Sequence, residues 1–211
     1  SSPFLCNLLS KFYSEYYSQR RSCRSIAALL SSSVELEKHQ LAAVYEVLKD
    51  TNKKYLLCDE VGLGKTIEAG FIIRQHVLEK GRHSKVLVLV PDSLSQQWEQ
   101  ELTERFHLGA VLNTDEDNDD PNVDILTFSQ ALTYEHTPTM VVIDEVHQIS
   151  SFPFNDNWME SELFSSISTL TNQSEITLLL TGTPMAGHRS AYLALLHLLN
   201  SESFPLTDRT I

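Results

Sequence analysis

The chain has 211 residues, 42% of them hydrophobic and 21% charged, which suffices for one well-buried domain of soluble, globular composition. No apolar run reaches the roughly 18 to 20 residues that cross a bilayer, and the N-terminus lacks the basic-then-apolar order of a secretory signal, so a cytoplasmic protein is expected. A net charge of −12 argues against a simple nucleic-acid-binding surface, which sets lysine and arginine against phosphate.

Residues 1–33 mix aromatics with arginines (KFYSEYYSQRRSCRS) and close on the serine run Ser31 to Ser33, which suits a linker or a helix cap. A small helical preface is expected there, ahead of a lobe spanning 34–211. The opening SSPF, without methionine, and the stop at Ile211 are what a piece of a longer protein would show. Three cysteines, Cys6, Cys23 and Cys58, are odd in number and far apart, which indicates neither a disulfide framework nor a zinc site. Cys58 is expected to pack within a strand.

From Leu36, the segment LEKHQLAAVYEVLKD spaces its apolar residues as an amphipathic helix does. Apolar runs then alternate with helical patterns: KYLLC and IEAGFIIRQHVLEK, KVLVLV and SLSQQWEQELTERF, VDILTF and SQAL, TMVVID and VHQI, ITLLLT and HRSAYLALLHLLN. Short continuous Val/Ile/Leu strands interleaved with helices predict a doubly wound α/β fold with a mostly parallel sheet. Between them, NTDEDNDDP (113–121) carries five acids and reads as a solvated loop, since it lacks the spacing and central glycine of a calcium-binding loop. A second loop, Ser150 to Asn157, precedes a helix expected from Trp158 to Leu170.

Ligands of open α/β sheets bind at the carboxyl ends of the strands, and three polar signatures fall there. The first is CDEVGLGKTIEAG, Cys58 to Gly70: a strand, a loop with Gly62 and Gly64, and a helix opening on Lys65 and Thr66. In such a loop the backbone N–H groups and the helix N-terminus attract phosphate, a lysine reaches the β- and γ-phosphates, and the hydroxyl binds Mg²⁺. Asp59 stands where the general P-loop pattern wants glycine, which leaves an ordinary Gly-rich turn as the plain alternative.

The second signature, TMVVIDEVH, ends a strand in two acids: Asp144 can hold Mg²⁺, partly through water, and Glu145 can position and deprotonate an attacking water. A strand-end pair that merely caps the next helix is the alternative. In the third, ITLLLTGTP, the hydroxyls of Thr181 and Thr183 flank Gly182 and can bond to the acid–histidine loop; taken alone, these residues read better as a plain turn.

In their order, DEVGLGKT, VLVLVPDSLSQQWEQEL, DEVH and LLLTGTP resemble motifs I, Ia, II and III of superfamily 2 helicase-like ATPases, and more narrowly the Swi/Snf-type family. In that family the first P-loop glycine is habitually replaced, so the resemblance makes Asp59 a family trait. DEVGLGKTIEAG with HQLAAVYEV upstream is most similar to the bacterial RNA-polymerase-associated branch. The resemblance spans about residues 34–200 and implies a RecA-like P-loop lobe that binds ATP and Mg²⁺.

It assigns nucleotide contacts to Asp59, Glu60, Val61, Gly62, Leu63, Gly64, Lys65 and Thr66, with Gln40 reading the adenine edge beside His39; an exposed helix glutamine is the alternative. It makes Lys65, Asp144 and Glu145 catalytic, gives Thr66 and Asp144 to the metal, and uses His147, Thr181 and Thr183 to couple motifs. Ser93, Gln96, Gln97, Thr127, Phe128 and Ser129 fall in segments that touch a nucleic-acid backbone in the family, though Ser93 also suits a helix cap and Trp98 suits the core. His83, His107, His136, His188 and His197 share no spacing and read as structural or solvent-facing.

The implied activity is hydrolysis of ATP by a translocase on double-stranded DNA, with a second lobe of the same chain supplying transition-state arginines and RNA polymerase or another complex as partner. The alternative is a nucleotide-binding regulatory module without turnover, against which the intact Lys65, Asp144 and Glu145 argue. A bacterial, nucleoid-associated location follows from the same resemblance.

Overall fold

The computed structural model describes residues 38–51, 53–58, 64–108, 110–112, 122–183 and 189–206. The expected preface 1–33, the loop residues Asp59 to Leu63, the acidic stretch 113–121 and His188 lie outside the described residues.

Helix α1 (Lys38–Lys49) leads into strand β1 (Lys53–Cys58), and α2 (Lys65–Lys80) follows the loop after it. Strand β2 (Lys85–Val90) precedes α3 (Ser95–Glu104), and β3 (Ala110–Leu112) and β4 (Asn122–Thr127) follow. Strand β5 (Met140–Ile143), α4 (Trp158–Gln173), β6 (Ile176–Thr181) and α5 (Arg189–Leu199) complete the order. The six strands form one sheet, β1-β6-β5-β2-β4-β3, and every pairing in it is parallel.

Parallel strands must be crossed over by chain on the sheet faces, so both faces are covered and the strands read as unbroken apolar runs. The period of two sorts their side chains into two cores. Val86, Val88 and Val90 with Val142, Leu178 and Leu180 pack against Phe71, Ile72, Trp98, Leu102 and Phe106 of the α1–α3 side. Leu87, Leu89, Val141, Ile143 and Leu179 pack against Phe164, Ile167, Leu195 and Leu198 of α4 and α5. Gly70 lets α2 approach α3: a Cβ there would stand 2.3 Å from the Phe106 ring.

Four expectations are corrected. Cys58 does end a strand, opposite Thr181, but it is exposed. SQAL and VHQI form 3₁₀ turns (Phe128–Thr133, Val146–Ile149), because segments this short cannot recover the cost of starting an α-helix. Ser93 does not cap α3; it lies inside a 3₁₀ turn (Asp92–Leu94), and the turn is tied instead by Ser95 Oγ donating to the Asp92 carbonyl. The three-residue edge strand β3 had no signal, since AVL is too short to show a period.

Candidate active site

Strands β1 and β5 end on the same side of the sheet, with β6 between them. Chain connections leave in different directions there, which creates the crevice that open α/β sheets use for ligands. A cleft of about 360 Å³ is lined by Gly64, Lys65 and Thr66 from the head of α2, Asp144 and Glu145 from the end of β5, and Leu94, Gln97, Trp98, Glu101 and Arg105 from the α3 side. The first two sequence signatures therefore meet.

Gly64 stands before the first turn of α2 with φ +91°, and its carbonyl accepts from Ile67 N at 2.9 Å and Glu68 N at 3.0 Å. That left-handed backbone strains any residue with a Cβ. Behind it, the buried Gln40 amide of α1 fills the space a Cβ would take, with Nε2 2.0 Å from that position. This burial excludes the reading of Gln40 as an ordinary surface glutamine. The first N–H groups of a helix lack intrahelical partners and point outward with the positive end of the dipole, so the head of α2 offers an anion seat into the cleft.

Asp144 is buried and held at both oxygens: Oδ2 accepts from Trp98 Nε1 at 2.9 Å, and Oδ1 accepts from Glu145 N at 2.8 Å. A carboxylate offers about four lone-pair sites, so two acceptor positions remain for a cation or its water. The bond from Glu145 N matches the cap-like alternative, and it coexists with the aim of Asp144 into the cleft.

Glu145 adopts φ 48°, ψ 40°, a left-handed conformation that is rare and strained for a non-glycine residue. Its Oε2 lies 3.1 Å from His147 Nδ1, which is 3.2 Å from Thr181 Oγ1, which accepts from Thr183 N at 3.1 Å. His147, Thr181 and Thr183 thus join the third signature to the second by direct contacts.

The remaining polar residues stand apart from the cleft. Val90 and Thr127 are paired in register, so the turns bearing Ser93 and Ser129 leave the sheet side by side at its carboxyl end. Ser93, Gln96 and Ser129 are exposed there, and Thr127 forms a capping box with Gln130 while its Oγ1 bonds Ser129 Oγ at 3.1 Å. Phe128 packs on the α4–α5 core. His83, His107 and His136 are exposed, and His197 Nδ1 bonds the Phe204 carbonyl at 2.8 Å.

Sequence reasoning missed three groups. Trp98 was expected in the core, and it is there, but its bond to Asp144 was not foreseen; a buried indole N–H needs an acceptor, which was the available signal. Glu101, and Arg105 at the C-cap of α3, follow Gln97 at four-residue steps and so share its cleft-facing side. His76 is buried, with Nε2 2.7 Å from Thr139 Oγ1, and burial pulls its pKa down to about 4.

Comparison with known proteins places the chain in a family. RNA polymerase-associated protein RapA of Proteus mirabilis (strain HI4320) is 36% identical over 217 residues, covering 92% of this chain and 21% of that protein. RapA of Vibrio cholerae serotype O1 (strain M66-2) is 34% identical over 209 residues, with 89% and 21% covered. The chain therefore spans about a fifth of the length of these relatives. The Sulfolobus solfataricus SWI2/SNF2 ATPase core, solved in complex with dsDNA, is similar in fold, with a TM-score of 0.67 over 80% of this chain and 36% of that one at 22% identity. Residues 36–208 match the SNF2-related domain, and the chain belongs to that family.

Proposed function

We propose that this chain is the ATP-binding lobe of a helicase-like ATPase that hydrolyses ATP to ADP and phosphate and translocates on double-stranded DNA. In this reading 34–211 form the lobe and 1–33 precede it. The observation that carries it is the convergence of Lys65 and Thr66 with Asp144 and Glu145 on one cleft.

The residues present fit Mg²⁺: Thr66 and Asp144 are oxygen donors on the same cleft, the chemistry a hard cation selects, and Asp144 keeps acceptor capacity beyond its two hydrogen bonds. When bound, the ion neutralises phosphate charge. The head of α2 and Lys65 seat the β- and γ-phosphates, together with the loop Asp59 to Leu63. Gln40, packed at Gly64, meets the adenine edge. Glu145 orients water and takes its proton, while His147 fixes the carboxylate and carries its state to Thr181 and Thr183.

The nucleic-acid backbone is met by Ser93, Thr127 and Ser129. The relatives' length leaves room for a second lobe with the transition-state arginines, and it makes the net charge of −12 compatible with DNA binding by the whole protein. The RapA relatives are named for association with RNA polymerase, and we extend that partner, and a bacterial cytoplasmic, nucleoid-associated location, to this protein.

The test is phosphate release by the full-length protein with and without duplex DNA. Stimulated turnover is expected. A folded protein that binds ATP without turnover under either condition would instead establish a regulatory nucleotide-binding module.

A further inference from the structure

We propose that Trp98 is a positioning residue for Asp144, and that nucleic acid engaged at the head of α3 sets the metal-binding carboxylate through this hydrogen bond. The second clause rests on the function proposed above.

Three observations converge. First, Trp98 is 1% exposed and its Nε1 donates to Asp144 Oδ2 at 2.9 Å, a bond to a buried carboxylate that is roughly twice as strong as a neutral one. Second, the other oxygen is held by Glu145 N, so the indole is what fixes the remaining rotation of the carboxylate plane. Without it, Asp144 could swing about its own side-chain torsion while keeping the backbone bond.

Third, Trp98 stands one turn inside α3, and the residues before it, the 3₁₀ turn Asp92–Leu94 and the first turn of α3, carry the exposed Ser93 and Gln96 at the carboxyl end of the sheet. Gln97, next to Trp98, lines the cleft itself. A rotation of this first turn moves the indole donor. A shift of about 0.5 Å already exceeds the tolerance of a productive site. The helix thus connects an exposed polar edge to one oxygen of Asp144 over a single turn, with no mobile loop between.

Trp98→Phe keeps the buried ring and removes the N–H. In the full-length protein, assayed well below its melting temperature, the Mg²⁺ concentration for half-maximal turnover should rise on the order of 10- to 100-fold, the usual effect of losing a residue that orients a metal ligand. The KM for ATP at saturating Mg²⁺ should stay near wild type, and the ratio of DNA-stimulated to basal turnover should fall. A merely structural tryptophan would lower the melting temperature and leave the Mg²⁺ dependence and that ratio unchanged, which would overturn the proposal.

A second measurement does not depend on the folding of that variant. The chain has two tryptophans, Trp98 and Trp158, and Trp158 is 70% exposed, away from the cleft. With Trp158→Phe and any tryptophan outside this chain also replaced, emission reports Trp98 alone. It should change when Mg²⁺ is added to the ADP-bound protein, and again with duplex DNA. Emission indifferent to Mg²⁺ would refute the positioning role. Emission that responds to Mg²⁺ but not to DNA would refute only the link along α3, and a wild-type protein without DNA-stimulated turnover would count against the proposed function instead.

Discussion

The Gln40 amide stands in the place of a side chain that Gly64 does not have, with Nε2 2.0 Å from where a Cβ would be. Helix α1 is therefore seated directly on the head of α2, and Gly64 is required twice, by this contact and by its φ of +91°.

Gly64→Ala should weaken nucleotide binding by more than about tenfold, since the backbone strain alone is worth roughly 1 to 3 kcal/mol. Adding Gln40→Ala vacates the space but leaves the strain, so the double variant should recover part of the melting temperature that Gly64→Ala loses, while it forgoes the adenine contact proposed for Gln40. Titration with a fluorescent ATP analogue measures the binding loss, and thermal denaturation without nucleotide measures the recovery. A double variant no more stable than Gly64→Ala would show that Gln40 is not the obstacle.

The reading of the fold from sequence succeeded where burial on both sheet faces wrote continuous apolar runs: KVLVLV and ITLLLT are strands over the very residues expected. It failed where elements are too short for a period to show, at β3 and the two 3₁₀ turns. That Gly64, Lys65 and Thr66 would share a cleft with Asp144 and Glu145 was legible, because both groups stand at the carboxyl ends of strands predicted to be parallel. Trp98 and His76 were not, because a buried polar contact across 46 or 63 residues leaves no local pattern. Gln40 was legible in identity but not in burial, which only the approach of α1 to Gly64 decides.

Glu145→Gln should leave nucleotide affinity within about twofold of wild type while lowering kcat on the order of 10²- to 10⁴-fold, because it removes the proton acceptor and little else. Lys65→Ala should do the reverse at the binding step, raising the Kd for ATP. Equilibrium binding and single-turnover hydrolysis in the full-length protein separate the two. Normal turnover by Glu145→Gln would remove the general base from the mechanism.

Thr181 is fully buried and contacts His147 Nδ1 and the Thr183 N–H with one hydroxyl. Thr181→Val keeps the shape, strands the Thr183 N–H and leaves His147 Nδ1 only its contact with Glu145, which should cost about 1 to 3 kcal/mol of stability. The prediction that bears on function is a fall in DNA-stimulated turnover larger than any fall in ATP affinity, since Glu145 then loses the order His147 gives it. Equal losses in both would mean that the network serves packing alone.

His76 gives the lobe a pH dependence whose sign follows from its place. Burial pulls its pKa from 6.5 down to about 4, against the upward pull of Glu175 and Glu79 and with the help of Lys80 and Lys53. The unfolded chain therefore binds a proton that the folded chain refuses. Stability is full above the unfolded pKa of 6.5 and falls as the pH drops from there toward 4, by about 2 kcal/mol at pH 5 and about 3 at the limit. The Thr139 hydroxyl that meets His76 Nε2 also accepts from Lys85 N and donates to the Lys85 carbonyl, both at 3.0 Å, and so ties the start of β2 to the residue before β5. Urea midpoints measured at pH 7.5 and pH 5 should fall more for the wild type than for His76→Gln, whose amide can still bond Thr139 but does not titrate. Equal falls would assign the acid sensitivity to the carboxylates and leave His76 without a part in it.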